Sequence, residues 1–439
     1  MFQPSGCTKV STSTIESTDP PPAWRPIVVG FAARALAVAT ASLGRRPIVV
    51  DHFADHDCQQ CAEACFQLPQ WGEARPFPSE VWKRLLRVAG AGSIPSPSLP
   101  RPPLLLGGGT ENWPQLVDAL HGPFHVLGPT STQLSLLRCR HFWQDLAEQN
   151  HCRFPESRSD LRSTASGLAG WLSKPLRGAG GLGIRRLAPA ASSPPTPPDG
   201  RERYWQREIQ GRALGAHCIL YNDRVQLLGI TASFSADDWP GPSEFVYRGS
   251  WGPVPLCVEQ QRVILGLCQA VRHASGLRGW LQIDFIEDSA GELWLLELNP
   301  RWAAGMEILL NSGVNAVAHH LAAWDWAQGR WPSVRTQTET TARTQGAENS
   351  ARQFAKAIVY AQRDIELSKD RLRALHALPP AEFADLPSRD MLGQTVAAGH
   401  PLLTVRTALT TDGHGSQVRQ NLLRALHLLR QQVASCTVR

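Results

Sequence analysis

Two apolar runs separated by a short polar break constrain this chain most: Gly279-Trp280-Leu281-Gln282-Ile283-Asp284-Phe285-Ile286 and Leu293-Trp294-Leu295-Leu296-Glu297-Leu298-Asn299-Pro300-Arg301. Both alternate as strands do, and Asp288-Ser289-Ala290-Gly291 between them is turn chemistry, so the pair reads as a β-hairpin. With Ala290-Gly291 as the loop, Asp284 falls opposite Glu297. Two carboxylates facing each other across a ladder repel unless a cation lies between them. Side chains on one strand face recur every second residue, which puts Glu297, Asn299 and Arg301 together. Two carboxylates and an amide oxygen suit a hard divalent cation such as magnesium or manganese. An arginine two residues on suits a phosphate that the same metal touches. The bland alternative is an amphipathic hairpin with a polar outer face. Four consecutive apolar residues followed by Glu, Asn and Arg in alternation favour the metal–phosphate reading.

Length and composition set the frame around this hairpin. At 439 residues the chain exceeds one ordinary core, and about two to four domains are expected. Hydrophobic residues make up 42% and charged residues 19%, a globular composition. The net charge of +6 comes from scattered arginines without a basic block. That favours anionic small molecules and argues against nucleic acid as a partner. Ten cysteines in apolar or helical surroundings do not form a secreted disulfide pattern. The long apolar stretch from Pro26 to Gly44 is interrupted by Arg34 and is rich in Gly and Ala. It reads as strand, turn and helix rather than a membrane span, so a cytoplasmic protein with no membrane association is expected.

Along the chain, residues 1–24 read as a disordered tail. Pro26–Gly30, Ala33–Leu43 and Pro47–Asp51 read as strand, helix and strand, an opening that implies a parallel sheet. Leu104–Gly109 and His125–Gly128 add strands, closing a first domain at 25–130. A second domain spans 131–330, with a helix at Leu134–Glu148, strand and glycine loop at Gly170–Arg186, and a Pro/Ser-rich insert at Pro189–Gly200. Strands at Tyr204–Ile209 and Val225–Ala232 follow, then helices at Glu259–Ser275 and Val314–Gln328. Residues 331–352 read as a linker. The last unit, 353–439, has strands at Ala355–Tyr360 and Leu402–Thr407 and a helix at Gln417–Val433. Cys58, Cys61 and Cys65 are spaced to line one helix face, but no second pair completes a zinc or cluster site. His319-His320 reads as packing.

The segment Lys174-Pro175-Leu176-Arg177-Gly178-Ala179-Gly180-Gly181-Leu182-Gly183 contains a formal G-x-G-x-x-G. A dinucleotide fingerprint needs that loop to open a helix. Here only Ile184 to Leu187 separates it from a proline-rich stretch, so that reading fails. A hairpin whose bare amides close over phosphates, with Lys174 adding a point charge, remains.

Taken together, these motifs resemble the ATP-grasp superfamily. The resemblance implies a multi-domain α/β ATP-grasp fold, with an N-terminal βαβ pre-ATP-grasp domain, a lid at about 150–205 and a small C-terminal α+β unit. It implies that Lys174 and the lid glycines Gly178, Gly180, Gly181 and Gly183 hold ATP phosphates. Gln206, Glu208 and Ile209 match the adenine-binding hinge, and Leu296 a position beside the nucleotide. Asp284, Glu297 and Asn299 match the magnesium ligands, and Arg301 the residue that stabilises the transferred phosphoryl group. Two positions depart from the pattern. The first nucleotide-binding lysine is replaced by Leu137-Arg138-Cys139-Arg140-His141, where Arg138 or Arg140 stands in as a cation. The acidic ribose ligand after Gly211 is replaced by Arg212-Ala213-Leu214-Gly215.

The implied reaction is ATP- and magnesium-dependent joining of a small-molecule carboxylate to an amine through an acyl-phosphate. Val29-Gly30-Phe31-Ala32-Ala33-Arg34-Ala35 with Asp51-His52-Phe53-Ala54-Asp55 is similar to a carboxylase-like subgroup, from which a role in tetrahydromethanopterin-type pterin-cofactor synthesis is an expectation; a homodimer is a separate expectation. The rival readings are a non-catalytic nucleotide-binding relative and a phosphotransferase acting on a hydroxyl.

Overall fold

The computed structural model describes residues 25–68, 101–161, 168–188, 202–326, 351–411 and 416–438. The expected tail, the proline-rich insert at 189–200 and all but the last two residues of the expected linker lie outside them. The first sheet contains β1 (Ile27–Gly30), β2 (Ile48–Asp51), β3 (Ala64–Gln67), β4 (Pro103–Leu106) and β5 (His125–Leu127), in the order β3-β2-β1-β4-β5. All its pairings are parallel. β1, β2 and β4 are buried along their length, as expected of apolar strands covered on both faces. Gly30 and Gly107 close the carboxyl ends of β1 and β4. A Cβ on Gly30 would lie 3.1 Å from the Gly107 backbone, so the two loops that follow leave the sheet in contact.

A small sheet carries the glycine loop: β6 (Ser157–Arg158), β7 (Trp171–Pro175), β8 (Arg185–Arg186) and β9 (Arg203–Arg207), ordered β6-β9-β7-β8. The largest sheet has eight strands. They are β10 (Arg212–Leu220), β11 (Val225–Ser233), β12 (Gly249–Gly252), β13 (Gly279–Glu287), β14 (Leu293–Asn299), β15 (Ala351–Tyr360), β17 (Phe383–Ala384) and β19 (Pro401–Thr411), while β16 (Ile365–Glu366) and β18 (Thr395–Val396) form a separate pair. Its order is β14-β13-β10-β11-β12-β15-β19-β17, antiparallel throughout. Strands from the last 90 or so residues therefore continue the same sheet through the β12–β15 pairing. Helices Val258–Ser275 and Ser416–Val438 pack their apolar stripes on it, and Leu220, Leu267, Leu281, Leu295, Val405 and Leu422 meet in one core.

The hairpin pairs Asp284 with Glu297 as expected, by a route the sequence did not show. Its loop is Asp288–Glu292, where the Asp288 carboxylate accepts the Ala290 and Glu292 amides at 2.9 and 3.0 Å. That loop alone would slip the register by one. A bulge at Leu296 restores it: Phe285 faces Leu295, and Asp284 faces Glu297. The extra residue keeps Leu293, Leu295 and Leu298 buried while Glu297 and Asn299 take the opposite face.

Other expectations need correction. The helix expected over Leu134–Glu148 breaks into Ser131–Leu137 and Arg140–Gln149, because Cys139 is extended (φ −80°, ψ 118°). The strand expected over Tyr204–Ile209 stops at Arg207, and β10, which follows it, was not anticipated although it lies inside the sheet. The helix over Val314–Gln328 is Ala316–Ala323, started by the Asn315 side chain accepting the Val317 and Ala318 amides. Cys58, Cys61 and Cys65 do not line one helix face. The helix ends at Cys61 and Cys65 lies on β3, with its sulfur 3.9 Å from that of Cys58.

Candidate active site

The face of the β10–β13–β14 ladder opposite the core gathers the polar hairpin residues. Asn299 donates to one Asp284 oxygen at 2.9 Å, and Gln282 donates to the other. Arg301 donates to the Asn299 side-chain oxygen Oδ1 at 3.1 Å and to Glu111 at 2.9 Å. Burial pushes the Asp284 carboxyl up to about 6, and the facing Glu297 charge adds to the rise; Gln282, Arg301 and Lys174 only partly oppose it. The ladder thus holds a carboxylate whose charge the protein leaves under-compensated, a deficit that a bound cation relieves. Among the described residues no group of three His, Cys, Asp or Glu side chains could hold a metal ion. A cation here would take two carboxylates and complete its shell from the Asn299 amide, water or a ligand phosphate. In the present orientation Asn299 turns its NH2 toward Asp284, so ligation through its oxygen requires the amide to turn over.

The lid stands beside this face. Lys174 on β7 donates to Gln206 on β9 at 2.9 Å, and its ammonium lies 5.7 Å from the centre of the Tyr204 ring. Gln206 is buried and also donates to Ser157 at 3.1 Å. Gly180, Gly181 and Gly183 have φ of 58°, 74° and 81°. The Gly180 carbonyl accepts the Tyr247 amide at 2.9 Å, and the Gly178 carbonyl accepts from Asn112 at 3.1 Å. A Cβ on Gly181 would fall 1.8 Å from the Phe245 carbonyl oxygen, so only glycine lets the loop lie this close. In the hinge, the Glu208 amide donates to Gly170, while its carboxylate clasps Arg186 at 2.6 and 2.8 Å. The Glu208 carboxylate is thereby committed to Arg186 on β8. Leu296 is the bulge residue, half-buried between the strands' two faces.

Several site residues escaped sequence reasoning. Glu111 follows Gly107-Gly108-Gly109 at the carboxyl end of β4, and it is 2% exposed with one oxygen unpartnered. The signal was present: polar residues just past a strand of a parallel sheet lie where such sheets bind ligands. Glu307 left no such mark. Its buried carboxylate accepts from Arg34, from Lys356 at 2.7 Å and from Arg406 at 3.3 Å, while Arg34 also reaches Asp385 at 2.7 Å. Burial alone would raise the Glu307 carboxyl, yet Arg34 and Lys356 hold it well below the usual range. His320 packs, as expected: it stacks on Trp280 at 3.6 Å and bonds Leu127 O at 2.9 Å. Among the described residues no helix is long and apolar enough to cross a membrane.

The structure combines a parallel N-terminal sheet, a large antiparallel sheet edged by acidic and basic side chains, and a glycine loop on a small sheet beside it. Residues 140–305 match the family model described as the ATP-grasp domain. No curated protein matches the sequence. Among solved structures it is similar to Rhizobium etli pyruvate carboxylase, at 14% identity and a TM-score of 0.64, over 93% of this chain and 37% of that one. The L-amino acid ligase of Bacillus licheniformis matches at 14% identity and 0.59, over 92% and 97% of the two chains. The biotin carboxylase domain of Hydrogenobacter thermophilus 2-oxoglutarate carboxylase, solved with MgADP, ADP and bicarbonate, matches at 12% and 0.62, over 92% and 89%. At these identities the likeness is one of fold.

Proposed function

We propose that this protein joins a small-molecule carboxylate to an amine at the expense of ATP, with magnesium held by Asp284, Glu297 and Asn299. The observation that carries the reading is the Asp284–Glu297 pair: two carboxylates fixed opposite each other, one of them pushed up to about 6, beside Arg301 and Lys174. Magnesium bound there would neutralise phosphate charge and orient the triphosphate. The domain family and the fold neighbours support ATP-dependent ligation as the general chemistry.

The substrate carboxylate oxygen attacks the γ-phosphorus, the bond from that phosphorus to the β–γ bridging oxygen breaks, and ADP leaves. An amine then attacks the acyl carbon, phosphate departs with the carbon–oxygen bond electrons, and the nitrogen loses a proton. Activation is needed because a carboxylate is a poor electrophile. The side chains mainly position groups and balance charge, as phosphoryl transfer demands. Arg301, held by Glu111, the Asn299 side-chain oxygen and the Trp302 carbonyl, offers its guanidinium to the transferred phosphoryl group. Lys174 faces the nucleotide phosphates, and the Gly178–Gly183 loop excludes water.

The test is calorimetric titration of adenylyl imidodiphosphate with and without magnesium into wild type and Glu297→Gln. Magnesium-dependent binding is expected in wild type and lost in the variant; equal binding by both refutes the site. Product analysis separates the rival activities. A ligase releases phosphate only with acid and amine together, whereas a phosphotransferase leaves a stable phosphorylated alcohol.

A further inference from the structure

Where the superfamily pattern has a lysine, this chain has two arginines, and the structure sends them to different places. Arg140 lies 4.5 Å over the Tyr204 ring. Arg138 instead enters the carboxylate site: Nη1 is 3.4 Å from Glu297 Oε1, and Nη2 donates to the Leu176 carbonyl at the base of the lid loop at 3.0 Å. The break between the two helices fixes this placement, with the Arg138 amide on Leu134 O at 3.1 Å and the Cys139 amide on Leu136 O at 3.0 Å. The Arg138 side chain is 16% exposed, and its charge also helps to hold the Glu111 carboxyl low, after Arg301. Arg138 is thus the cation in contact with Glu297, while Arg301 holds Glu111.

Resting on the ligase reading, we infer that Arg138 is an exchangeable counter-ion: it neutralises Glu297 in the empty site and passes to the nucleotide phosphates when a divalent cation takes Glu297. A cation on Glu297 removes the attraction that holds the guanidinium and adds a like charge beside it. The same fork already contacts the lid base, next to the loop that closes on phosphate, and arginine binds phosphate oxygens in pairs. Arg138 therefore opposes metal bound alone and favours metal that arrives with nucleotide. In this chain the substitution makes the site ordered in its loading, which a lysine bound only to phosphate would not do.

Calorimetry on the full chain tests this with wild type, Arg138→Met and Arg138→Lys, titrating manganese alone and then magnesium with adenylyl imidodiphosphate. Arg138→Met is expected to bind manganese alone about tenfold more tightly and the magnesium–nucleotide about tenfold more weakly, the scale of one half-buried ion pair. Arg138→Lys is expected to weaken the magnesium–nucleotide less than Arg138→Met does, because lysine keeps the charge but not the paired fork. Structural damage would weaken both ligands, so shifts of opposite sign identify the exchange. Intact nucleotide binding in wild type, with no opposite-sign shift in Arg138→Met, overturns the role of Arg138 alone. A wild type that binds manganese but no nucleotide overturns the ligase reading itself.

Discussion

Replacing Asp284 by Asn should stabilise the ligand-free protein while destroying its response to magnesium. The folded state raises this carboxyl from 3.8 to about 6, chiefly through burial and then through Glu297. A raised acid favours the folded state fully below its unfolded value, and the advantage is lost as pH climbs through about 6. At pH 7 the displacement corresponds to about 3 kcal/mol of destabilisation, reduced to about 1–2 kcal/mol because solvent reaches part of the side chain. Asparagine removes that charge without losing the local bonds. The new NH2 needs an acceptor, and Gln282 Oε1, buried and unpartnered, supplies one when its amide turns over. Urea unfolding at pH 5 and 7.5 reads the effect as a difference between variant and wild type, which cancels the other titrating groups. The variant should gain about 1–2 kcal/mol at pH 7.5 and about half of that at pH 5, which still lies above the unfolded value of 3.8. Magnesium with adenylyl imidodiphosphate should then raise the wild-type midpoint only. A variant no more stable than wild type at pH 7.5, or one still stabilised by magnesium, would show that Asp284 carries no uncompensated charge awaiting a cation.

Two further substitutions probe the lid and the buried charge cluster. Gly181→Ala places a methyl group against the Phe245 carbonyl and forces alanine to φ 74°, at about 1–2 kcal/mol for the backbone alone. The lid should undock, with faster exchange of the Tyr247 amide and about tenfold weaker nucleotide binding; unchanged Tyr247 protection would refute the contact. Glu307→Gln leaves Arg34, Lys356 and Arg406 around a neutral amide, and removing one partner of a buried ionic cluster costs about 3–5 kcal/mol. Urea unfolding that shifts by less than about 1 kcal/mol would mean those cations find other partners.

The Asp284–Glu297 pairing could be read from sequence because strand parity is a local rule, and because the longer loop and the bulge displace the register in opposite senses. The lid's glycines were legible for a similar reason: the positive φ of Gly180, Gly181 and Gly183 marks residue types as much as places. Glu307 and its three cations come from segments far apart in the chain, and no local pattern announces a buried charge whose partners arrive from elsewhere. β10 is less legible because Arg212-Ala213-Leu214-Gly215 opens on a charge and carries a glycine, although Leu214, Ala216, Cys218 and Leu220 alternate toward the core. The helix break at Cys139 was equally hidden, since neither proline nor glycine marks it, yet it aims Arg138.

Leu296 works as a phase shifter between two periodic signals written on one strand. Upstream of it the alternation obeys the core, and downstream it obeys the site, so each half can drift in sequence without scrambling the other. Deleting Leu296 would join Leu295 to Glu297 in unbroken alternation and keep both faces, whereas drawing Leu296 into regular pairing opposite Asp284 would exchange Glu297 and Asn299 with Leu298. A slip of that kind would bury a carboxylate and expose a leucine in the same stroke. The chemistry of this strand depends on one residue staying outside the ladder.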